Sequence, residues 1–363
     1  MAEMSTAPMF NSDSSDSPSS MERDPLGFES ADATGSISYE PFRKHRASWA
    51  TSFRRGIEYR IFCFGVWLGQ TLSVPRLQQL GRITGTLVYH LFPKDRGIAD
   101  TQLERVFPEV STMERKQWCR ECFQSFGQFL FEFLGMSQIA AAPEHWLSIK
   151  NPQVLENALK QQKGVIVLTM HLGNWELFSA LAEHLNQPMV AAVTNVPEPR
   201  INQRLRAMRE RGPMQIVPRG SSETLGKILT CFRNREVFVL AIDQDTNVPS
   251  IWAPFFNLPA KTPIGAAALA LMSGAPVVSG LFVREQDGRF RLHLTDLGVQ
   301  KKQPQEDEDH AVFRITRNLN RHMESLIRQH PQQWAWFHRR WRHKPTEAEL
   351  ARMQALEDGP CRL

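Results

Sequence analysis

Apolar residues recur along the chain with two different periods, and the period changes near Pro152. From about Ser48 to Pro143 they recur every three or four positions, as in RLQQLGRITGTLVYHLF and TMERKQWCRECFQSFGQFLFEFLGM. This spacing is typical of amphipathic helices, and Ser111 with Glu114 provides a capping-box start for the second one. After Pro152, short apolar runs alternate with helical patterns. The sequence therefore predicts an α/β fold, with a mostly parallel central sheet flanked by helices and a helical region before it.

The same pattern predicts the individual elements and their grouping. Strands are expected at GVIVLTM, MVAAVT, MQIVPR, VFVLAID, APVVSGLFVRE and RFRLHLTDL, the last two joined by a turn at Asp287 and Gly288. Helices are expected at WELFSALAEHL, EPRINQRLRAMRERG, SSETLGKILTCFRN and PIGAAALALMSG, and from Ala311 to Gln329. The chain then divides into a leader (1–45), a helical region (46–150), an α/β core (151–345) and a C-terminal tail (346–363). The leader is acidic, Ser-rich and poor in apolar residues, so we expect it to be disordered.

One apolar segment of the helical region predicts contact with a membrane. Residues Ile61 to Leu72 read IFCFGVWLGQTL, which is shorter than the roughly 18 apolar residues of a spanning helix. The basic residues that precede it are Arg43, Lys44, Arg46, Arg54, Arg55 and Arg60. A Phe- and Trp-rich helix beside basic residues is typical of interfacial attachment on the cytoplasmic side. The alternative is a core helix with a solvated basic start. The first ten residues lack the features of a secretory signal.

Charge and cysteine content narrow the classes of partner. The 43 Lys and Arg exceed the 38 Asp and Glu, which favours acidic partners such as anionic lipid, phosphate groups, nucleic acid or an acidic carrier protein. No recognised nucleic-acid-binding module appears, so nucleic acid is not an expected partner. The 5 cysteines are odd in number and scattered, which indicates a reducing compartment. Cys119 and Cys122 form a lone C-x-x-C pair in a helical segment, where packing is the expected role. Neither a metal nor a cofactor is predicted.

Polar residues follow two predicted strands at the positions where a parallel α/β sheet places its sites. His171 ends the run GVIVLTM, and Glu176 comes five residues later. Residues five apart in an unbroken helix point roughly 140° away from each other, so a contact between them needs the turn that Gly173 and Asn174 can provide. Asp243, Gln244 and Asp245 follow a second strand. Because ligands bind beyond the carboxyl ends of such strands, one site between the two strand ends is expected. A buried histidine and a helix-terminal carboxylate are the alternative.

Four blocks in order resemble the late acyltransferases of lipid A biosynthesis, the lauroyl and myristoyl transferases, within the lysophospholipid acyltransferase superfamily. HLGNWE is similar to their H-x-x-x-x-E block, and RVFPEVSTMERKQWCRECFQSFGQFLFEFL to their upstream helix. AIDQDTNVPSIWAPFFNLPAKTPIGAAALA and HPQQWAWFHRRWRHKP are similar to their second and closing blocks. Together the blocks span about residues 50 to 345. The chain departs from the pattern at Gln102, where Asn is usual, and at Trp341, where Phe is usual.

The resemblance implies transfer of a fatty acyl chain from a thioester to a hydroxyl of a lipid A precursor. His171 would be the general base, because a free imidazole has a pKa of about 6.5, and Glu176 would hold its other nitrogen. Backbone amides at Gly173 to Trp175 would stabilise the oxyanion. Acyl carrier protein, or acyl-CoA, would be the donor. The enzyme would act at the cytoplasmic face of the bacterial inner membrane.

A phosphorylated glycolipid acceptor also needs binding residues. The family resemblance does not identify these residues individually. Arg suits phosphate, and the expected substrate-binding residues are Asn174, Arg200, Arg204, Arg219, Asp243, Gln244, Arg339 and Arg340. The rings of WAPFF and WAWFHRRW, with Leu172 and Trp175, are expected to pack or to line an acyl groove. Two alternatives stay open: an acyltransferase for a lysophospholipid or another glycolipid, and a non-catalytic lipid-binding protein on the membrane surface.

Overall fold

The computed structural model describes residues 49–219 and 222–359. The predicted leader, its neighbours Arg43, Lys44 and Arg46, and Cys361 lie outside the described residues. Helices fill the N-terminal region as the three- and four-residue spacing predicts. They are α1 (Trp49–Thr71), α2 (Val74–Leu91), α3 (Pro93–Val106), α4 (Thr112–Leu134), α5 (Met136–Ala141) and α6 (Pro143–Trp146). Ser111 caps α4 by accepting a hydrogen bond from the backbone amide of Glu114, as expected.

The second half is an α/β fold with a seven-stranded sheet, which confirms the predicted fold class. The strands are β1 (Leu147–Lys150), β2 (Val165–Thr169), β3 (Met189–Val193), β4 (Met214–Pro218), β5 (Val237–Ala241), β6 (Ser250–Phe255), β7 (Leu258–Pro263), β8 (Pro276–Arg284) and β9 (Phe290–Val299). The order across the sheet is β1-β9-β8-β2-β5-β3-β4, while β6 and β7 form a separate hairpin. Neighbours in the sheet are parallel except β8 and β9, which the turn at Asp287 and Gly288 joins as an antiparallel pair.

Helices cover both faces of this sheet. They are α7 (Gln153–Leu159), α8 (Phe178–Leu185), α9 (Pro199–Arg209), α10 (Ser222–Arg233), α11 (Gly265–Ser273), α12 (Glu308–Gln329) and α13 (Glu347–Asp358), with short 3-10 helices at Trp175–Leu177 and Pro331–Gln333. Side chains of a strand alternate between its two faces, so Ile166 and Leu168 enter one core while Val165 and Val167 enter the other. The segment expected as a tail carries α13, which a capping box at Thr346 and Glu349 begins.

The backbones of α2 and α4 lie unusually close together. A Cβ atom at Gly85 would meet the carbonyl oxygen of Phe123 at 2.2 Å, and one at Gly127 would meet the carbonyl oxygen of Gly81 at 2.1 Å. Only glycine permits this approach. The helical region and the sheet belong to one compact unit.

The outer sides of α1 and α2 expose large apolar side chains. In α1 these are Ile57, Ile61, Phe64 and Trp67, and in α2 they are Ile83, Leu87 and Leu91. The segment Ile61 to Leu72 is therefore mostly the second half of α1, with an exposed apolar side. Within residues 49–219 and 222–359, none of the helices has the length and apolar character needed to cross a bilayer.

A buried ion pair ties the N-terminal helices to the sheet. Glu132 of α4, which is 0% exposed, is bound by the guanidinium of Arg284 through two contacts of 2.6 Å. Its carboxylate also accepts hydrogen bonds from Gln78 of α2 at 2.9 Å and from Asn174 at 3.0 Å. Because an unpaired charge in such a position is costly, these donors fix α2, α4, β8 and the segment around Asn174 relative to one another.

Candidate active site

His171 and Asp243 lie side by side beyond the carboxyl ends of two neighbouring strands. In the parallel pair of β2 and β5, Thr169 is the register partner of Ala241. His171 and Asp243 each follow two residues later, so the register brings them together. One site between these two strand ends was the expectation from sequence, and the structure has this arrangement.

Asp243 is the carboxylate that holds the imidazole. Its Oδ1 lies 2.9 Å from Nδ1 of His171, and its Oδ2 accepts hydrogen bonds from the His171 backbone amide and from Trp334 Nε1, both at 2.9 Å. The side chain is 0% exposed. Burial alone would raise the pKa of Asp243, but the charge of His171 and these hydrogen bonds outweigh it and lower the pKa to about 2. An ionised carboxylate at Nδ1 selects the tautomer that leaves Nε2 as the proton acceptor.

Glu176 has a different partner from the one predicted. Its carboxylate is bound by Arg209, with Nε at 2.8 Å from Oε2 and Nη2 at 2.6 Å from Oε1. This bidentate geometry is the strong form of the Arg–carboxylate pair. The expected contact of Glu176 with the second nitrogen of His171 is therefore corrected: Asp243 occupies that position. The five-residue spacing is met by a turn, as expected, but the turn directs Glu176 toward α9.

The turn between His171 and Glu176 depends on Gly173. Its φ is +65°, and a Cβ there would lie 1.8 Å from the carbonyl oxygen of Phe282. Asn174 stands at the N-cap position of the 3-10 helix, but its side chain makes no capping hydrogen bond. It is 0% exposed and donates to Glu132 instead, so burial keeps it from the substrate contact expected of it. The amides of Gly173 and Asn174 donate to the carbonyls of Gln333 and Phe282, and these two bonds occupy donors that were expected to face an oxyanion.

The segment after α12 fixes the same turn from the other side. The backbone amide of Ala335 donates to the carbonyl of His171 at 3.1 Å, and Leu172 forms an isolated antiparallel bridge with Trp334. Leu172 is 0% exposed, which confirms its expected packing role. Gln102 takes part as well, because it donates to the carbonyl of His338 at 2.8 Å and accepts from the amide of Arg340 at 2.9 Å. Gln102, which stands where the family usually has Asn, thus holds the closing segment against α3.

His171 opens into a mostly apolar pocket of about 500 Å³. One face of the sheet forms its floor through alternate residues of three neighbouring strands: Ala191, Val193, Met214, Ile216, Val239 and Ala241. The ring of Trp175 lies 4.8 Å from the His171 ring and stacks on Phe129 at 4.0 Å. Such a pocket can accept an alkyl chain beside a base, because apolar walls and a few polar groups are typical of ligand sites.

The predicted substrate-binding residues divide into two groups. Arg219 and Gln244 line the pocket with His171 and Glu176. Burial lowers the pKa of Arg219, against the opposing charge of Asp243. Its guanidinium has no hydrogen-bond partner in the described part of the chain. Arg219 is therefore a cation inside the pocket whose guanidinium makes no hydrogen bond to the described residues.

The other four arginines lie away from the pocket. Arg200 is paired with Glu198 at 2.5 Å and stacks over Tyr59, while Arg204 and Arg339 are exposed. Arg340 corrects the expectation most clearly, since it is 0% exposed and donates to the carbonyl of Lys261 and to Thr262. Its guanidinium therefore holds the hairpin of β6 and β7 and presents no surface to a phosphate.

Sequence reasoning missed three side chains at this site. Trp334, Arg209 and His338 were not singled out, although Trp334 and His338 lie in the closing block. Burial lowers the pKa of His338, which lines the pocket, to about 4, so that its ring is neutral at pH 7. Trp334 could have been found from the sequence, because it places an indole N–H donor within the closing block of the family resemblance. Arg209 stands in a helix of many arginines, and its spacing gives no sign of which one turns inward.

The comparison with known proteins decides the family. The profile of the family described as bacterial lipid A biosynthesis acyltransferase matches residues 48–343. The chain belongs to this family. It is 28% identical over 312 residues to the lipid A biosynthesis palmitoleoyltransferase of Escherichia coli, which covers 83% of this chain and 94% of the relative. The lipid A biosynthesis lauroyltransferase of Escherichia coli is 27% identical over 289 residues, covering 77% of this chain and 90% of the relative.

A more distant relative shares part of the same chain. The phosphatidylinositol mannoside acyltransferase of Mycobacterium tuberculosis is 22% identical over 203 residues, which is 55% of this chain and 62% of the relative. The protein is thus an acyltransferase, and the non-catalytic alternative is set aside. The family resemblance read from four blocks of sequence is confirmed.

Proposed function

We propose that this acyltransferase moves a fatty acyl chain from an acyl thioester to a hydroxyl of a lipid A precursor. Acyl carrier protein is the proposed carrier, with acyl-CoA as the other candidate. Support comes from the two Escherichia coli relatives described above, which are named as a lipid A biosynthesis palmitoleoyltransferase and lauroyltransferase. The observation that carries the chemistry is the His171–Asp243 pair at the mouth of an apolar pocket.

His171 would act as the general base. Nε2 takes the proton from the acceptor hydroxyl as that oxygen attacks the thioester carbonyl carbon. The tetrahedral intermediate then collapses, the carbon–sulfur bond breaks, and the imidazolium returns the proton to the thiolate. Asp243 stabilises the imidazolium and keeps Nδ1 protonated. No protein nucleophile is needed, since the acceptor oxygen itself attacks.

Arg219 would stabilise the negative charge that develops on the carbonyl oxygen. Of the three backbone amides first expected there, those of Gly173 and Asn174 are bonded to carbonyls, whereas the guanidinium of Arg219 lies in the pocket with its donors unused by described residues. A preorganised donor of this kind contributes about 10²–10³ in kcat. Gln244, which also lines the pocket, is proposed to contact the substrate. Glu176 is proposed to act through Arg209 as a positioning residue.

The exposed apolar residues of α1 and α2 are proposed to rest on the cytoplasmic face of the bacterial inner membrane. Trp67 is 54% exposed, Ile61 66% and Leu91 70%, and the exposed cations Arg54, Arg60 and Arg82 lie on the same helices. Apolar side chains beside cations suit an anionic lipid surface. The test compares binding of the protein to liposomes with and without anionic lipid, and we expect stronger binding when anionic lipid is present. Equal binding by a variant with serine at Ile61, Phe64 and Trp67 would contradict it.

The decisive experiment compares His171→Ala with His343→Ala. His343 is a matched control, because a buried carboxylate, Asp245, holds its Nδ1 at 2.8 Å, yet it does not line the pocket. Purified enzyme is given acyl carrier protein thioester and a lipid A precursor, and the product is measured by mass spectrometry. We expect loss of transfer in His171→Ala alone. Full turnover by His171→Ala would remove His171 from the mechanism.

A second acceptor class is kept because of one relative. The phosphatidylinositol mannoside acyltransferase named above acts on a glycosylated lipid other than lipid A, as its name states. The same assay with a phosphatidylinositol mannoside or a lysophospholipid in place of the lipid A precursor separates the two. Product with one of these lipids and none with the lipid A precursor would reverse the ranking.

A further inference from the structure

A small second cavity adjoins the active-site pocket. Its volume is about 90 Å³, and its walls are Val193, Asn195, Asn202, Arg206, Arg209, Ile216 and Pro218. Three of these residues, Val193, Arg209 and Ile216, also line the large pocket. The two spaces are therefore neighbours across the Arg209 side chain, and a group bound in the small cavity lies next to the substrate in the large one.

One side of α9 provides the polar wall of this cavity. Asn202, Arg206 and Arg209 are spaced by four and three residues, which places them on one side of a helix. Leu205 and Met208 pack against the core between the sheet and α9. Arg204 is exposed and does not line the cavity. Two arginines of the helix, the exposed Arg206 and the part-buried Arg209, thus line the cavity, and a third exposed arginine does not.

The polar residues that line the cavity, Asn195, Asn202, Arg206 and Arg209, all carry side-chain N–H donors. The carboxylates of Glu176 and Glu210, which hold Arg209 at 2.6 Å and Arg206 at 2.8 Å, are not among the residues that line it. They keep the two guanidinium groups in place from outside the cavity.

The amides complete this donor set. The Oδ1 of Asn202 accepts from the backbone amide of Val196 at 3.0 Å, which leaves the side-chain NH₂ as a donor. The side chain of Asn195 is exposed and has no hydrogen-bond partner in 49–219 and 222–359. Oriented guanidinium and amide donors without a lining carboxylate suit an anion with several oxygens.

We propose that this cavity binds a phosphate group of a substrate, with Asn202, Arg206 and Arg209 as its donors. The inference rests on the proposed function, because only a phosphorylated substrate in the large pocket brings its phosphate here. It also gives Glu176 a physical role: the carboxylate after the His171 turn fixes Arg209, so that the base and the phosphate subsite are set at a constant separation. The phosphate can come from the glycolipid acceptor or from the phosphopantetheine of the donor.

Two variants and one control test the proposal. Asn202→Asp keeps an oxygen for the Val196 amide and replaces the donor with a negative charge. Arg206→Gln removes one guanidinium, and Arg204→Gln makes the same change at an exposed position of the same helix. We expect the apparent KM for the phosphorylated substrate to rise roughly ten- to a hundredfold in the first two variants. A change of this size corresponds to the loss of one charge-assisted hydrogen bond. Arg204→Gln should leave it unchanged.

The source of the phosphate is found by comparing substrates with and without their phosphate groups. The acceptor is used with and without its phosphates, and the donor as acyl-CoA and as acyl-pantetheine. A rise in KM confined to the phosphorylated form of either substrate supports the subsite and names its source. Equal KM changes for phosphorylated and phosphate-free forms of both substrates would overturn it.

A binding measurement separates this inference from the proposed reaction. Inorganic phosphate should raise the Tm of the full-length wild type and of Arg204→Gln, and should fail to do so in Asn202→Asp. This result holds whether or not transfer to a lipid A precursor is found. An identical shift in all three proteins would overturn the subsite even if the enzyme transfers acyl chains normally.

Discussion

Replacing Asp243 by Asn tests which carboxylate directs the base. The two oxygens of Asp243 serve unequal sets of donors: Oδ2 accepts from the His171 amide and from Trp334 Nε1, while Oδ1 accepts from His171 Nδ1 alone. The single oxygen of Asn should therefore turn to the side with two donors. Its NH₂ group then faces Nδ1 and requires that nitrogen to accept a hydrogen bond.

The consequence is a change of tautomer in His171. When Nδ1 accepts, the proton moves to Nε2, and the nitrogen that should take the hydroxyl proton is no longer free. The same exchange in a Ser-His-Asp triad lowers kcat by about 10⁴ with little change of geometry, and we expect a loss of about 10³–10⁴ here. Since each factor of ten corresponds to about 1.4 kcal/mol, the barrier rises by about 4–6 kcal/mol.

The assay is steady-state acyl transfer, with unfolding measured on the same samples. Asp245→Asn is the matched control, because Asp245 is 3% exposed and holds His343 as Asp243 holds His171. We expect both variants to lose stability and only Asp243→Asn to lose activity. Glu176→Gln, which keeps an oxygen for Arg209, should keep more activity than Asp243→Asn. Near-normal kcat in Asp243→Asn, with a large loss in Glu176→Gln, would refute this reasoning and restore Glu176 as the orienting acid.

Three further outcomes follow from buried groups. Gly173→Ala should lower the free energy of unfolding by at least about 2 kcal/mol, because its Cβ would lie 1.8 Å from the carbonyl oxygen of Phe282. Gly97→Ala is the control and should cause no such loss, because a Cβ at Gly97 would meet nothing within 4 Å. Glu132→Gln should cost about 3–5 kcal/mol in urea unfolding, since it leaves a buried guanidinium uncompensated, and a loss below about 1 kcal/mol would contradict this. The folded-state pKa of Asp243, about 2, lies below the ordinary Asp value of 3.8, so its contribution of about 2 kcal/mol to stability is present above pH 4 and disappears toward pH 2. The stability difference between wild type and Asp243→Asn should shrink over that range, and a constant difference would count against it.

The sequence predicts most of the sheet and helices, because their patterns are local. Runs such as VIVLT at β2 are apolar on both faces, which is typical of a strand buried in a parallel sheet. The hairpin of β6 and β7 was not predicted, because SIWAPF and LPAKTP contain Pro and lack clean alternation.

Pairings between distant residues are harder to obtain from one sequence. Asp243 and Glu176 are both carboxylates near His171, and only the register of β2 with β5 shows which one meets Nδ1. Arg340 was expected to bind substrate because Arg suits phosphate, yet Thr262 and a backbone carbonyl accept its hydrogen bonds inside the protein. Such outcomes depend on tertiary contacts that residue type and spacing do not encode.

The close glycine contacts between α2 and α4 have a mechanical meaning. At Gly85 with Phe123 and at Gly127 with Gly81, the two helices touch backbone to backbone, so no flexible side chain lies between them. Glu132 of α4 is in turn bonded to Asn174, in the turn that carries His171. The apolar outer side of the helices and the turn that carries His171 are therefore rigidly connected. A tilt of the protein against a surface would rotate the pocket through the same angle. If the apolar side rests on a membrane as proposed, the fold sets the height of His171 above it, and an acceptor hydroxyl has to rise to that height.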